Sequence, residues 1–131
     1  MKVENFEDLN IYKEAKELNK RIYDVTKEVK FARDFGLVDQ IRRASVSVMS
    51  NIAEGFERGS NTEFVKFLFI AKGSSGEVRS QISVALEQKY IDDKVHNDIF
   101  DRCRRINGMI SNLITYLNNS KLDKKKNRAK E

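Results

Sequence analysis

Apolar residues recur at three- and four-residue intervals in four separate segments of the chain. The series of the first segment is Ile11, Ala15, Leu18, Ile22, Val25 and Val29. Alternating steps of four and three keep one face of an α-helix apolar, as in helices that pack in bundles. The segment therefore predicts a first helix from about Glu7 to Lys30. A turn follows it, in which Gly36 is free to adopt a positive φ.

The second segment, from about Gly36 to Arg58, has a much wider apolar arc. Its apolar positions are Val38, Ile41, Ala44, Val46, Val48, Met49, Ile52, Ala53 and Phe56. They cover roughly 200° of the helix, whereas an ordinary surface helix needs little more than 100°. We therefore expect this helix to be covered from more than one side. Either it lies in the middle of its own bundle, or a second copy covers the flank formed by Val46, Met49, Ala53 and Phe56.

Two further helices complete the pattern. Ser60 and Glu63 have capping-box spacing and predict a third helix that continues to about Gln88. Asp92 or Asp93 is the expected cap of the fourth, which continues to about Leu117. Helices joined by such short links predict an all-α, up-down-up-down antiparallel four-helix bundle over residues 1–119. Residues 120–131 are expected to form a flexible basic tail.

The charge of the chain is concentrated in that tail. The net charge is +5, and six cations against two anions after Leu117 account for most of it. A single cysteine excludes an internal disulfide framework, and no apolar run is long enough to span a membrane. The sequence therefore predicts a cytoplasmic protein without a membrane segment or signal peptide.

Candidate catalytic residues are few. His96 is the only histidine and has no partner motif, and Cys103 lies on an apolar seam. The run 73–76, Gly-Ser-Ser-Gly, lacks the strand and the Gly-Lys-Ser/Thr ending of a phosphate-binding loop. We instead expect a neighbouring helix to cross closely there. No enzyme activity, metal or cofactor is predicted.

Polar residues form a line along the second helix, namely Gln40, Arg43, Ser47, Asn51, Glu54 and Arg58. Three interpretations stay open for this polar stripe. It can be a solvated face, or a place where Asn51 and Glu54 are buried and hydrogen-bonded across helices or subunits, or a ligand or RNA site. Arg42 and Arg102 lie at apolar arcs, and we expect their guanidinium groups to pair with acids on a neighbouring helix.

Several cations are candidates for a nucleic-acid surface. Those of the helices are Arg43, Arg58, Arg104 and Arg105, with Lys66 and Lys72, and those of the tail are Lys124, Lys125, Lys126 and Arg128. Tail cations that contact phosphates give sequence-independent, salt-sensitive binding. The alternative for the tail is a solubilising frayed terminus.

The second helix also carries a motif. Residues 40–44 (QIRRA) followed by residues 50–56 (SNIAEGF) resemble the signature of the 23S rRNA-intervening-sequence protein family, also called the four-helix-bundle or S23 family. The likeness extends over residues 6–117 through the runs 6–9 with Ala15, 35–37, and 70–74 with Glu77. Met49 and Lys30 stand where the family often has proline, and the pair 75–76 replaces a more helix-favouring one.

The resemblance implies a homopentameric ring and a non-enzymatic, nucleic-acid-associated protein that binds RNA or DNA. Relatives are encoded within insertions in bacterial 23S rRNA genes, or act as accessory proteins of diversity-generating retroelements that bind nucleic acid and a reverse transcriptase. The alternative function is therefore a scaffold or accessory subunit that docks a protein partner. The resemblance also marks a fold or assembly motif: Arg42, Ser47, Met49, Asn51, Ile52, Ala53, Glu54, Gly55 and Phe56.

Overall fold

The computed structural model of this protein describes the backbone of residues 3–130 and the side chains of residues 3–120. This part of the chain forms five α-helices and no strand, which confirms the all-α prediction. The helices are α1 (Asn10–Val25), α2 (Val29–Ala32), α3 (Phe35–Glu57), α4 (Asn61–Glu87) and α5 (Asp93–Lys130), preceded by a 3-10 turn at Phe6–Asp8. No helix in the described range is long and apolar enough to cross a membrane.

The first helix ends earlier than the sequence predicts. Its periodicity suggested a helix to Lys30, but α1 stops at Val25. Thr26 donates its hydroxyl to the carbonyl of Ile22 at 2.7 Å and accepts a hydrogen bond from Arg42 at 2.9 Å, which fixes the helix end. The expected turn contains the short helix α2 instead. Gly36 lies inside α3, so the positive φ expected for it was wrong.

Side-chain caps define where three helices begin. Ser60 accepts a hydrogen bond from the backbone N–H of Glu63 at 3.2 Å, as its spacing predicted. Asp92 accepts one from the N–H of Val95 at 2.9 Å, which fixes the start of α5. The third cap, Asp34, was not predicted and starts α3. Each cap satisfies an N–H that has no partner within its own helix.

The core lies between the four long helices. Helix α3 packs against α1 and α4, and α5 packs against the same two helices. The predicted seams are buried at Ile11, Ala15, Leu18, Ile22, Ile41, Ala44, Val48, Ile52, Phe64, Leu68, Ala71, Val78, Ile82, Ala85, Ile99, Cys103, Ile106, Ile110 and Leu117. Of the seam predicted for the first helix, Val25 is half-buried, and Val29 is 67% exposed because it lies on α2.

The wide apolar arc of α3 is largely covered within its own subunit. Met49 and Phe56 pack against the core, and the Phe56 ring meets that of Phe64 edge-on at 5.9 Å. Ala53 is half-buried, so Val46 is the exposed residue of the predicted outer flank, at 43%. Further exposed apolar side chains lie on α4, at Phe69, Ile70 and Val84.

Candidate nucleic-acid interface

Helices α3 and α4 approach closely at Gly55. A Cβ atom added at Gly55 would lie 2.6 Å from the Cβ of Phe67 and 3.1 Å from Cδ1 of Phe64. Such distances leave no room for a side chain, so only glycine fits here. The motif glycine therefore lies within α3, and Gly59, with a φ of 77°, follows the end of that helix.

The close crossing predicted for residues 73–76 holds only for the two serines. A Cβ added at Gly73 or Gly76 would have no heavy atom within 4 Å, so that expectation was wrong for the glycines. Ser75 is buried and donates its hydroxyl to the carbonyl of Cys103 on α5 at 3.3 Å. Ser74 faces α3. The glycines leave an open surface on α4 instead.

The polar stripe of α3 divides along its length into a half-buried side and an exposed side. Asn51 donates hydrogen bonds to the carbonyl and the hydroxyl of Ser47, at 2.8 and 2.9 Å. The Ser47 hydroxyl lies 2.9 Å from that of Ser74 and so connects this side to α4. Glu54 is exposed and pairs with Arg58 at 2.9 Å. Asn51 therefore helps to fix the register of two helices, whereas Glu54 belongs to the solvated side.

A cavity of about 370 Å³ lies beside this stripe. Gln40, Arg43 and Ser47 line it from α3, and Glu77 and Gln81 line it from α4. Oε1 of Gln81 is buried without a hydrogen-bond partner in the described residues. Because the cavity carries charges of both signs, it offers a phosphate no net attraction.

The two arginines at apolar arcs do not pair with acids on neighbouring helices, so that expectation was wrong. Arg42 donates to the hydroxyl of Thr26, and its guanidinium carbon lies 4.5 Å from the centre of the Tyr23 ring. Arg102 pairs with Asp98 on its own helix at 3.2 Å. Arg42 therefore connects α3 to α1 through uncharged groups, with a cation–π contact in place of an ion pair.

Most of the predicted cations of the helices are paired with acids. The pairs are Arg43 with Asp39 at 3.0 Å, Arg58 with Glu54 at 2.9 Å, Lys66 with Glu63 at 3.7 Å and Arg105 with Glu14 at 3.5 Å. Arg104 is exposed and has no ion pair within residues 3–120, and neither has Lys72. The tail cations Lys124, Lys125, Lys126 and Arg128 lie outside the described side chains. Four of the six helix cations therefore already have a carboxylate partner.

A serine–histidine contact that the sequence did not suggest lies between α4 and α5. Nε2 of His96 is 3.2 Å from the hydroxyl of Ser83, and Nδ1 is 3.1 Å from Oδ1 of Asn97. The Ser83 hydroxyl also donates to the carbonyl of Arg79 at 3.0 Å, and which atom donates in its contact with His96 depends on the tautomer of the imidazole.

Other reactive groups have structural surroundings. Burial raises the pKa of the Cys103 thiol to about 11, above its ordinary 9.0, although Ser75 and Arg79 act in the opposite direction. The thiol is therefore protonated at neutral pH and unreactive. Among the residues described, no three His, Cys, Asp or Glu side chains are grouped so that they could hold a metal ion.

One end of the helix assembly carries a cationic cavity of about 790 Å³, here called the end cavity. Its lining residues are Lys30, Arg33, Asp34, Phe35, Gly36, Gln88, Lys89 and Tyr90. Lys30, Arg33 and Lys89 are exposed and have no ion pair with any described residue. Phe35 is 82% exposed, more than the other exposed large apolar residues of the described chain. This is where the structure brings unpaired cations and an aromatic ring together.

A polar contact holds the two walls of the end cavity together. Asp34 accepts the N–H of Leu37 through Oδ1 and the phenol of Tyr90 through Oδ2, at 3.1 and 2.9 Å. Its carboxylate is therefore engaged on both oxygens. The hydrogen bond to Asp34 raises the pKa of Tyr90 above its ordinary 10.0, and partial desolvation and the charge of Asp34 act in the same direction. The Tyr90 ring also lies 5.5 Å from that of buried Phe31.

Tyr90 separates the end cavity from a second cavity of opposite charge. That cavity has a volume of about 390 Å³ and is lined by Asp24, Glu28 and Asp92 beside apolar residues. The two faces of one loop therefore carry cations on one side and carboxylates on the other. An anion is attracted to the side of Phe35 and repelled from the side of Asp92.

Sequence reasoning missed the residues of the end cavity. Lys30 and Arg33 fall in the segment interpreted as a turn, and Lys89 lies far from them in the sequence, just after α4. Lys89 adopts a φ of 63°, which turns the chain between α4 and α5. The available signal was local: cations at 30 and 33 with an aromatic residue at 35, just ahead of the second helix.

Residues 7–112 match the family described as 23S rRNA-intervening sequence protein. The chain belongs to that family. A search of curated proteins returned no match. Among solved structures, the chain is similar to a protein of unknown function from the S23 ribosomal protein family of Bacteroides thetaiotaomicron VPI-5482. The two are 24% identical, with a TM-score of 0.74, over 79% of this chain and 97% of the other.

Membership in the 23S rRNA-intervening sequence protein family confirms the family that the motif suggested. The structural likeness, at 24% identity, establishes the fold alone. Neither the family description nor that of the Bacteroides protein names an enzymatic activity. What this family member does therefore has to be inferred from its own surface.

Proposed function

We propose that this family member is a non-enzymatic, oligomeric four-helix-bundle protein that binds RNA or DNA through the end cavity. The observation that carries the proposal is the presence of three exposed, unpaired cations, Lys30, Arg33 and Lys89, in the lining of one cavity. Contacts with phosphates supply most of the affinity of sequence-independent nucleic-acid binding. Cations that have no ion-pair partner are free to make such contacts.

The paired arginines of α3 and α5 have a smaller part in this proposal. Arg43, Arg58 and Arg105 each have a carboxylate within 3.5 Å, which a phosphate would have to displace or tolerate. Arg104 is free of such a partner among the described residues and can add a contact. Cations of the tail, which the sequence marks as the most basic segment, would extend the same electrostatic attraction.

The proposal includes the up-down-up-down topology. Contacts between neighbouring helices run in opposite order, as expected for antiparallel pairs. Gly55 meets Phe67 while Ser47 meets Ser74, so later residues of α3 face earlier residues of α4. The same holds for α4 and α5, where Ser75 meets Cys103 and Ser83 meets His96. The short links between these helices support the same arrangement.

Self-association into a homopentamer is the second part of the proposal. Phe69, Ile70 and Val84 are 55%, 51% and 40% exposed on the outer side of α4, with the open surfaces of Gly73 and Gly76 among them. Exposed apolar side chains beside small residues suit the close approach of another helix. A ring of five copies would repeat the end cavity five times, and multivalency raises overall affinity without any new type of contact.

A titration with salt tests nucleic-acid binding. The full chain is mixed with fluorescent RNA and DNA oligonucleotides, and binding is measured by anisotropy between 50 and 200 mM salt. Over that range, added salt lowers the affinity of a complex with about six to ten phosphate contacts by roughly a thousandfold or more. We expect measurable affinity at low salt and a steep loss on raising it. Undetectable binding to both nucleic acids at low salt would contradict the proposal.

The second candidate function is a scaffold or accessory subunit that docks a protein partner such as a reverse transcriptase. The exposed apolar side of α4 favours it, because such surfaces bind proteins as well as second copies. Light scattering separates self-association from docking of a partner. An oligomer of this chain that still binds a purified reverse transcriptase through the outer side of α4 would support docking. An oligomer that buries this side between its own copies would contradict docking.

A further inference from the structure

The geometry points to a more specific ligand for the end cavity: an unpaired stretch of a nucleic-acid strand, with one base stacked on the ring of Phe35. This inference rests on the proposed function and adds which form of nucleic acid is selected. Stacking on an exposed ring requires a base whose face is free, and in a duplex each base is already stacked on its neighbours. The protein should therefore prefer single strands.

Phe35 is the first part of the argument. It is the first residue of α3, and 82% of its surface is exposed. Phe31, four positions earlier, is completely buried and packs against Tyr90. The core at this end is therefore already filled without Phe35, and its ring is available to a ligand. Base–aromatic stacking of this kind is tolerant of sequence, because every base has a π-face.

The cations around Phe35 are the second part. Lys30 and Arg33 precede it in the chain, and Lys89 comes from the link between α4 and α5. Proteins that bind single strands combine a cationic groove for the backbone with aromatic side chains for the bases. The end cavity has both components. Its volume of about 790 Å³ lies within the roughly 300–1,000 Å³ of small-molecule sites, so it has room for a nucleotide.

Charge also argues against the other occupant of an exposed apolar ring, a second copy of this chain. A copy that covered Phe35 with its own end cavity would bring six unpaired cations together, which is unfavourable. A polyanion has the complementary charge. The neighbouring cavity with Asp24, Glu28 and Asp92 repels phosphates, so the strand is confined to the Phe35 side of Tyr90.

A tryptophan reporter tests the stacking directly. The chain contains no tryptophan, so Phe35→Trp introduces a single tryptophan at the proposed stacking position, and its emission is excited selectively over that of the four tyrosines. We expect a twelve-nucleotide oligouridine or oligothymidine to quench its emission, and a duplex of the same length to leave it nearly unchanged. Comparing the RNA with the DNA oligonucleotide shows whether the sugar matters. Tyr12→Trp, which is half-buried at the start of α1, is the matched control and should not be quenched.

Phe35→Leu provides the test of affinity, because leucine keeps the apolar surface but has no planar face. Stacking is worth about 1–3 kcal/mol per base, so affinity for single strands should fall at least about fivefold while duplex affinity is unchanged. Equal binding by Phe35→Leu and the parent chain, or quenching by single strand and duplex alike, would overturn the inference. A changed oligomeric state of Phe35→Leu would do so as well, because it would show that a second copy covers the ring. Absence of any nucleic-acid binding by the parent chain would instead contradict the proposed function itself.

Discussion

Gly55 of α3 lies directly against Phe67 of α4, with 2.6 Å between the position of an added Cβ and the Cβ of Phe67. Since neither atom lies at the flexible end of a side chain, an alanine at position 55 requires the two helices to move apart. We predict that Gly55→Ala destabilises the fold by about 1–3 kcal/mol, the usual cost of overpacking. Urea unfolding followed by circular dichroism measures the change.

Gly108 provides the matched control for that substitution. It lies within α5, is exposed, and would place an added Cβ with no heavy atom within 4 Å. Gly108→Ala should stabilise the protein by up to about 1 kcal/mol, because alanine has the higher helix propensity. If both substitutions shift stability in the same direction, the close approach at Gly55 does not explain the glycine of the motif.

The outer side of α4 is predicted to mediate self-association. Ile70→Glu places a charge beside Phe69 and Gly73 on the outer side of α4, where burial against another copy would leave it unpaired. We expect the variant to dissociate in size-exclusion chromatography with light scattering while its circular dichroism stays helical. Val29→Glu is the control, because Val29 is 67% exposed on α2 and should leave assembly intact. An Ile70→Glu oligomer of unchanged mass would contradict the assignment of this face.

Removal of the Tyr90 hydroxyl is predicted to lower the stability of the fold in a pH-dependent manner. The pKa of Tyr90 is raised in the folded state, chiefly by its hydrogen bond to Asp34. The stabilisation is therefore complete below the ordinary pKa of 10.0 and is lost as the pH rises above it. Tyr90→Phe should lower the unfolding midpoint at pH 7, and the difference from the parent should shrink above pH 10. A Tyr90→Phe chain as stable as the parent at pH 7 would contradict the role of this contact.

Cys103 should behave as a buried thiol. At pH 8 it should not react with Ellman's reagent until urea unfolds the chain, because its pKa is raised to about 11 by burial. The pKa of Cys103 in the folded state lies above the unfolded value of 9.0. The buried thiol therefore stabilises the fold fully below pH 9, and this stabilisation is lost between pH 9 and about 11. The loss amounts to at most about 3 kcal/mol. Cys103→Ala should remove this part of the pH dependence, and rapid reaction of the native thiol would show that the site is open.

The sequence predicted the helices where local signals decide them. Ser60 and Asp92 occupy cap positions that depend only on residues within the next turn, and the structure confirms both. The end of α1 could not be predicted in this way. Its apolar periodicity continues to Val29, but Thr26 bonds back to Ile22 and receives Arg42 from another helix. Tertiary contacts therefore overrode the local pattern.

The candidate site was harder to predict than the fold, because ion pairing depends on which side chains meet in space. Arg43 and Arg58 look like free cations in the sequence, yet each has a carboxylate four residues away that neutralises it. An i,i+4 search would have found these pairs. The approach of Lys89 to Arg33 depends instead on how α4 is placed beside α2 and α3, which no local pattern encodes.

The central claim is that the cations of the end cavity, rather than the paired cations elsewhere, bind nucleic acid. Two triple variants test it with the same change in charge: Lys30→Gln, Arg33→Gln and Lys89→Gln in one, and Arg43→Gln, Arg58→Gln and Lys66→Gln in the other. The measurement is the slope of log affinity against log salt for a single strand. We predict that the first triple variant lowers the steepness of this salt dependence by about 2 per bound subunit, because it removes three phosphate contacts and each contributes roughly 0.7 to the slope. The second triple variant should hardly change the slope. Equal losses in both variants, or a larger loss in the second, would contradict the account.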